Sequence, residues 1–139
     1  MIIREATKED FPVLAGMIEV HPEPSYDCSC SFYQATVFRM VGCNGVKIWI
    51  AYKDNRAVGY LIGMLDTSGL FNQVYVFDIY VSESDRDGSV SKGLLNIGKE
   101  WASSIGVKRV VWYSKISARA WGRLTGNSVE EIHYCSMEV

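Results

Sequence analysis

An α+β fold, built on a mixed but mostly antiparallel central sheet of six to seven strands flanked by about four helices, is predicted by three observations. The first is a run of apolar, β-branched segments separated by short polar turns across the first half of the chain. The second is a strand–turn–helix–strand unit from Val76 to Tyr113, the pattern that returns a chain parallel to its own strand. The third is the 3.6-residue apolar period of the intervening stretches. With 139 residues, 48% hydrophobic and 22% charged, the chain has enough material for one core, and residues 1–139 are read as a single domain.

Ile2 to Ala6 reads as a short strand, and Thr7 with Asp10 as a capping-box helix start. Phe11, Leu14, Met17 and Ile18 then recur at helical spacing. His21 to Ser31, with two prolines and no apolar repeat, reads as a loop. Helical spacing resumes from Phe32 to Met40. Lys47–Tyr52 and Ala57–Leu65 form a hairpin about Lys53–Arg56, and Gln73–Val81 is the fourth strand of an antiparallel meander. A polar turn, Ser82 to Ser89, leads into a helix from about Val90 to Ile105, which Gly106 terminates. Lys108–Tyr113 returns as a strand, Ser117–Thr125 is a short helix ended by Gly126, and Ile132–Val139 alternates like a closing strand.

The net charge of −2 offers no basic field for a nucleic-acid backbone, so that partner is not expected. No apolar run approaches the roughly 18 residues of a membrane span, and Met1–Glu5 carries no leader-like pattern. A cytoplasmic location follows as the expectation, with Cys28, Cys30, Cys43 and Cys135 as free thiols. Cys28, Cys30, Cys43 and His21 lack the spacing of a usual zinc site, and no metal is expected.

The strand-to-helix turn leaves unpaired N–H groups at a helix N-terminus, which favours an anion. Asp78 stands in a strand apolar on both faces, with Val74 and Val76 read on its own side and Phe77 and Ile79 on the other. Burial there would raise the carboxyl pKa towards that of a general base, the alternative being a carboxylate that only fixes the sheet.

The phrase Asp78-Ile79-Tyr80-Val81, the turn with Arg86, Leu94-Leu95, Trp101-Ala102 and Gly106–Val110 resemble the core of the GCN5-related N-acetyltransferases, the GNAT superfamily. The opening Ile3-Arg4-Glu5-Ala6-Thr7-Lys8-Glu9-Asp10 is similar to the way many of its members begin. The resemblance implies the GNAT fold and transfer of an acetyl group from acetyl-CoA, as co-substrate, to an amine of a small molecule or peptide. It implies that the backbone of Ile79, Tyr80 and Val81 pairs with the pantetheine arm, and that Arg86, Asp87, Gly88, Ser89, Val90, Ser91 and Lys92 surround the pyrophosphate.

By the same resemblance Asp78 is the candidate base, and Tyr26, Asp27, Tyr33 and Gln34 lie where acceptors are contacted. Monomer or homodimer is the implied assembly. The sequence departs from the family at three places: Ser89 and Ser91 stand where glycines are usual, and Gly122 where a tyrosine commonly protonates the leaving thiolate. Tyr113, with Ser114 and Tyr134, is the candidate replacement acid. These departures leave open a GNAT fold without turnover, serving in binding or structure, of the kind found among phage and mobile-element products.

Overall fold

A computed structural model of the chain describes residues 1–21, 28–67, 72–112 and 118–131. Five strands form one sheet in the order β1-β2-β3-β4-β5. They are β1 (Ile2–Glu5), β2 (Val46–Lys53), β3 (Arg56–Asp66), β4 (Gln73–Val81) and β5 (Val110–Val111). The first four pair antiparallel and β5 pairs parallel with β4. The described residues therefore hold five strands rather than six to seven. The segment read as a closing strand, 132–139, lies outside them.

Four helices, α1 (Phe11–Glu19), α2 (Cys30–Met40), α3 (Ser89–Ser104) and α4 (Ala118–Thr125), cover the two faces. One core joins Leu14, Met17 and Ile18 of α1 and Tyr33 and Val37 of α2 to Ile48, Ile50, Tyr60, Ile62 and Tyr80. The other joins Val90, Leu94 and Leu95 of α3 to Trp49, Ala51, Val58, Leu61, Val76 and Val81, with Trp121 of α4 packed against it. A helix layer on each face explains why the central strands are apolar on both sides. No helix among the described residues is long and apolar enough to cross a membrane.

Local chemistry sets the boundaries. The Thr7 N–H donates to Asp10 Oδ2 at 2.7 Å, as the capping pattern requires, and Arg4 clamps the same carboxylate at 2.6 and 2.9 Å. This guanidinium pulls the Asp10 carboxyl down to about 2. Asp54 and Asn55 take positive φ in the β2–β3 turn, the geometry of a two-residue hairpin loop. α2 starts two residues earlier than the apolar period suggests, because the Ser29 hydroxyl accepts from the Phe32 N–H. At the end of α3, Val107 N–H donates to Ala102 O and Gly106 N–H to Ser103 O, with Gly106 at φ 79°. That is a Schellman stop.

The pairing of β4 with β3 is irregular at one point. Asp78 pairs with Ile62 while Val76 pairs with Gly63, so Phe77 is an extra residue bulged out of β4. Val76 packs in the α3 core, Phe77 in the α1/α2 core, and Asp78 again meets side chains of the α1/α2 layer. Asp78 therefore does not share a face with Val74 and Val76, as strict alternation suggested. The bulge turns it to the opposite side.

Candidate functional site

The carboxylate re-aimed by the bulge sits in a closed polar cluster. Asp78 is only 5% exposed. Its Oδ2 accepts from the Tyr33 hydroxyl of α2 and the Tyr60 hydroxyl of β3, both at 2.7 Å. His21 Nε2, just past the end of α1, lies 3.4 Å from Oδ1. The His21 ring rests on Tyr80, centroids 5.1 Å apart, and Tyr33 stacks on Phe77 at 6.1 Å. One carboxylate thus ties α1, α2, β3 and β4 together.

Burial pushes the Asp78 carboxyl up, but the donors from His21, Tyr33 and Tyr60 together outweigh it and hold the group below its ordinary range. The expectation of a raised pKa is corrected: it counted desolvation and not the three donors.

β5 accompanies β4 only at Val74 and Tyr75. Beyond Tyr75, no strand among the described residues flanks β4 on that side. Among the described residues the backbone of Ile79, Tyr80 and Val81 thus forms an edge without a partner strand on that side, starting beside Asp78 and ending at the turn before α3. Gly59, opposite Val81, lets the strands close up there, since a Cβ on it would stand 2.5 Å from Tyr80 O.

At the other end of that edge, Gly88 adopts φ 94° as the residue before α3, and Ser89 and Ser91 are helical. Gly88 thus supplies a left-handed backbone position one residue ahead of the first place that spacing from Arg86 marks for a glycine. The first intrahelical bond is Lys92 N–H to Gly88 O. The N–H groups of Val90 and Ser91 have no acceptor within the helix.

The Ser89 N–H and hydroxyl donate instead to Asp87 Oδ1, at 2.9 and 2.7 Å. These two bonds lower the Asp87 pKa. Arg86 does not point at this terminus: its Nε donates to Val81 O at 2.9 Å.

Asp85 is held within the turn by Ser82, Arg56 and Ser84, which take its carboxyl to about 2. Lys53 Nζ is 3.3 Å from the Ser89 hydroxyl. A cleft of about 520 Å3 opens between the α3 terminus and α4, lined by Asp87, Gly88, Ser89, Lys92, Ala120, Arg123 and Leu124.

The sequence-derived candidates fall into three groups. Ile79 to Lys92 form one continuous edge and helix terminus, with the side chain of Val90 in the core. Tyr33 is 2% exposed, with its hydroxyl on Asp78, and Gln34 Nε2 donates to Ala15 O at 2.9 Å, tying α2 to α1. Tyr26, Asp27, Tyr113, Ser114 and Tyr134 lie outside the described residues.

A Cβ on Gly122 would stand 3.3 Å from Asn127 O, so a larger residue there would push against the α4 stop. Sequence reading missed His21, Tyr60, Lys53 and Arg123 as parts of the site. The one local signal for His21 was its position two residues past the end of α1. Among the described residues, no group of three or more His, Cys, Asp or Glu is arranged to hold a metal ion.

The sequence matches the Acetyltransferase (GNAT) family over residues 2–123, and the chain belongs to that family. Solved structures of the same fold include an aminoglycoside antibiotic 6'-N-acetyltransferase from Acinetobacter haemolyticus. It is 16% identical, at TM-score 0.76 over 100% of this chain and 99% of that one. An aminoglycoside N-acetyltransferase in complex with CoA is 17% identical, at TM-score 0.76 over 99% and 95%. An aminoglycoside acetyltransferase from an uncultured soil metagenomic sample, in complex with sisomicin, is 17% identical, at TM-score 0.69 over 99% and 96%. No curated protein matches the sequence.

Proposed function

We propose that this protein transfers the acetyl group of acetyl-CoA to a primary amine on a small polycationic acceptor. The observation that carries the reading is the continuity of the β4 edge, which leads from the Asp78 cluster through Ile79–Val81 to a helix N-terminus opened by Gly88. An extended pantetheine arm fits an edge that no described strand flanks, with Val81 O the one group there already accepting, from Arg86. A pyrophosphate fits the N–H groups of Val90 and Ser91, with Lys92, Lys53 and Arg123 supplying positive charge. The thioester would then lie at the Asp78 end. The family gives the reaction, and the aminoglycoside acceptors of similar folds give the acceptor class its chemistry.

The amine attacks the thioester carbonyl, backbone N–H groups of β4 polarise that carbonyl, and the amine proton leaves into the buried cluster. CoA thiolate is a stable enough leaving group to depart without a dedicated acid.

A second reading, a GNAT fold without turnover, is favoured by two features of the turn. The chain's own Asp87 carboxylate already holds the Ser89 N–H at the α3 terminus, and Arg86 is tied back to Val81.

Calorimetry of acetyl-CoA on the purified protein, followed by release of free CoA with sisomicin or spermidine as acceptor, separates the two. Micromolar binding, weakened in a Lys92→Glu variant, together with acceptor-dependent CoA release, supports the transferase. No heat at millimolar acetyl-CoA overturns it and leaves the second reading.

A further inference from the structure

Asp78 is poorly suited to accept a proton. Its Oδ2 already accepts two phenol hydrogens at 2.7 Å, its side chain is 3% exposed, and the surrounding donors keep it ionised. A carboxylate so satisfied has low proton affinity. The side chain beside it differs in kind. His21 is 10% exposed, sits at the C-terminal end of α1, and places Nε2 3.4 Å from the remaining carboxylate oxygen, with its ring on Tyr80.

Among the described residues, the titratable groups that face His21 are Asp78 and Tyr80 from β4. Tyr33 of α2 and Tyr60 of β3 stand behind them on the other carboxylate oxygen. Tyr80 belongs to the open edge itself. The imidazole therefore lies between the buried anion and the place where the acyl group is expected.

We propose that His21 is the proton acceptor of the transfer reaction, and that Asp78, fixed by Tyr33 and Tyr60, is its positioning partner. The inference rests on the acetyl-transfer reading above. In the step, the amine lone pair forms a C–N bond to the acetyl carbon, and the nitrogen gives one proton to the imidazole. The C–S bond breaks with its electron pair going to sulfur. The imidazolium passes its proton on to the thiolate or to water. Asp78 offsets the charge that the ring carries in between, and the carbonyl groups ending α1 act in the same sense.

Sisomicin and acetyl-CoA serve as the probe pair, with CoA release followed from about pH 5 to 9 for wild type, His21→Gln and Asp78→Asn. His21→Gln is expected to lose roughly a hundred- to ten-thousandfold in kcat/KM together with the acid limb of the profile, while acetyl-CoA affinity and melting temperature stay near wild type. Asp78→Asn keeps a carbonyl oxygen for the two phenols, so it is expected to retain its fold and to move the acid limb to lower pH. His21→Gln within threefold of wild type, or an acid limb unmoved in Asp78→Asn, overturns the proposal.

An NMR titration of the His21 ring without acceptor reads the coupling independently of turnover and of the glutamine variant's folding. Its midpoint is expected to move to lower pH in Asp78→Asn, and an unchanged midpoint also overturns the proposal. A wild type that binds no acetyl-CoA removes the transferase reading itself, and the proposal with it. That outcome is distinct from an active enzyme indifferent to His21.

Discussion

Replacing Tyr60 by phenylalanine deletes one oxygen from a fully buried site and leaves the ring's packing against Tyr80 intact. The lost bond is 2.7 Å long and ends on a carboxylate, so it belongs to the stronger class of hydrogen bond, about 1.5–3 kcal/mol. No water is expected to replace it readily, since the core there is apolar apart from Tyr33, His21 and Asp78 itself. For a domain of this size each kcal/mol corresponds to roughly 3–5 °C in melting temperature, which puts the expected drop at about 5–15 °C at neutral pH.

The assay is thermal unfolding by circular dichroism for wild type, Tyr60→Phe, Asp78→Asn and the double variant. Tyr60→Phe should cost clearly less in the Asp78→Asn background, where the charge that strengthens the bond is gone. The acid arm of stability should also move upward in the single variant, because one of the donors that keeps Asp78 ionised is missing. A melting temperature within about 1–2 °C of wild type, or an identical loss in both backgrounds, would refute the assignment of Oδ2 as a charge-strengthened acceptor.

Other expected outcomes concern the edge, the turn and the pH range. Gly59→Ala puts a Cβ 2.5 Å from Tyr80 O and 3.1 Å from Val90, so β4 must shift; a loss of about 1–3 kcal/mol in urea unfolding is expected, and an unchanged midpoint speaks against the close approach. Asp87→Ser removes the carboxylate that competes for the α3 terminus while keeping a hydroxyl. Acetyl-CoA should bind roughly two- to fivefold tighter, an effect that fades at high salt, and calorimetry showing no gain would mean the pyrophosphate lies elsewhere. Asp10, Asp78, Asp85 and Asp87 all have folded pKa values below the unfolded one. The unfolded chain therefore binds more protons in acid, and stability is full above about pH 4 and falls as pH drops towards about 2. A melting temperature flat down to about pH 2.5 would contradict this, whereas a decline beginning near about pH 6 would implicate other groups.

Features with local causes were legible in the sequence. The hairpin at Asp54-Asn55, the capping aspartate at Asp10 and the stop at Gly106 depend on neighbours within a few positions, and each was placed from the residues alone. The parallel return of β5 followed from the strand–helix–strand pattern. The burial of Asp78 was legible, as a carboxylate in an apolar strand, but its face was not. A strand buried on both sides carries no alternation to register an inserted residue, so the bulge at Phe77 left no trace. His21 lies outside the helices and strands, as its loop reading had it, but its approach to Asp78 joins distant parts of the chain and left no local signal. The positive φ of Gly88 was not legible either, because the spacing counted from Arg86 pointed to position 89 for a glycine.

The bulge also constrains how this chain can change over time. β4 is nine residues long but offers β3 only eight positions, so the segment after Phe77 is out of phase with the segment before it. Losing Phe77 would merely heal the bulge, but losing or gaining a single residue between Asp78 and Val81 would hold one of two side chains in place only by turning the other over. Either Asp78 would face α3, where Leu94 and Leu95 offer it no donor, or Tyr80 would turn away from His21. Length variation in descendants of this sequence should therefore gather in the turns at either end of β4, while the strand beyond Phe77 drifts by substitution alone.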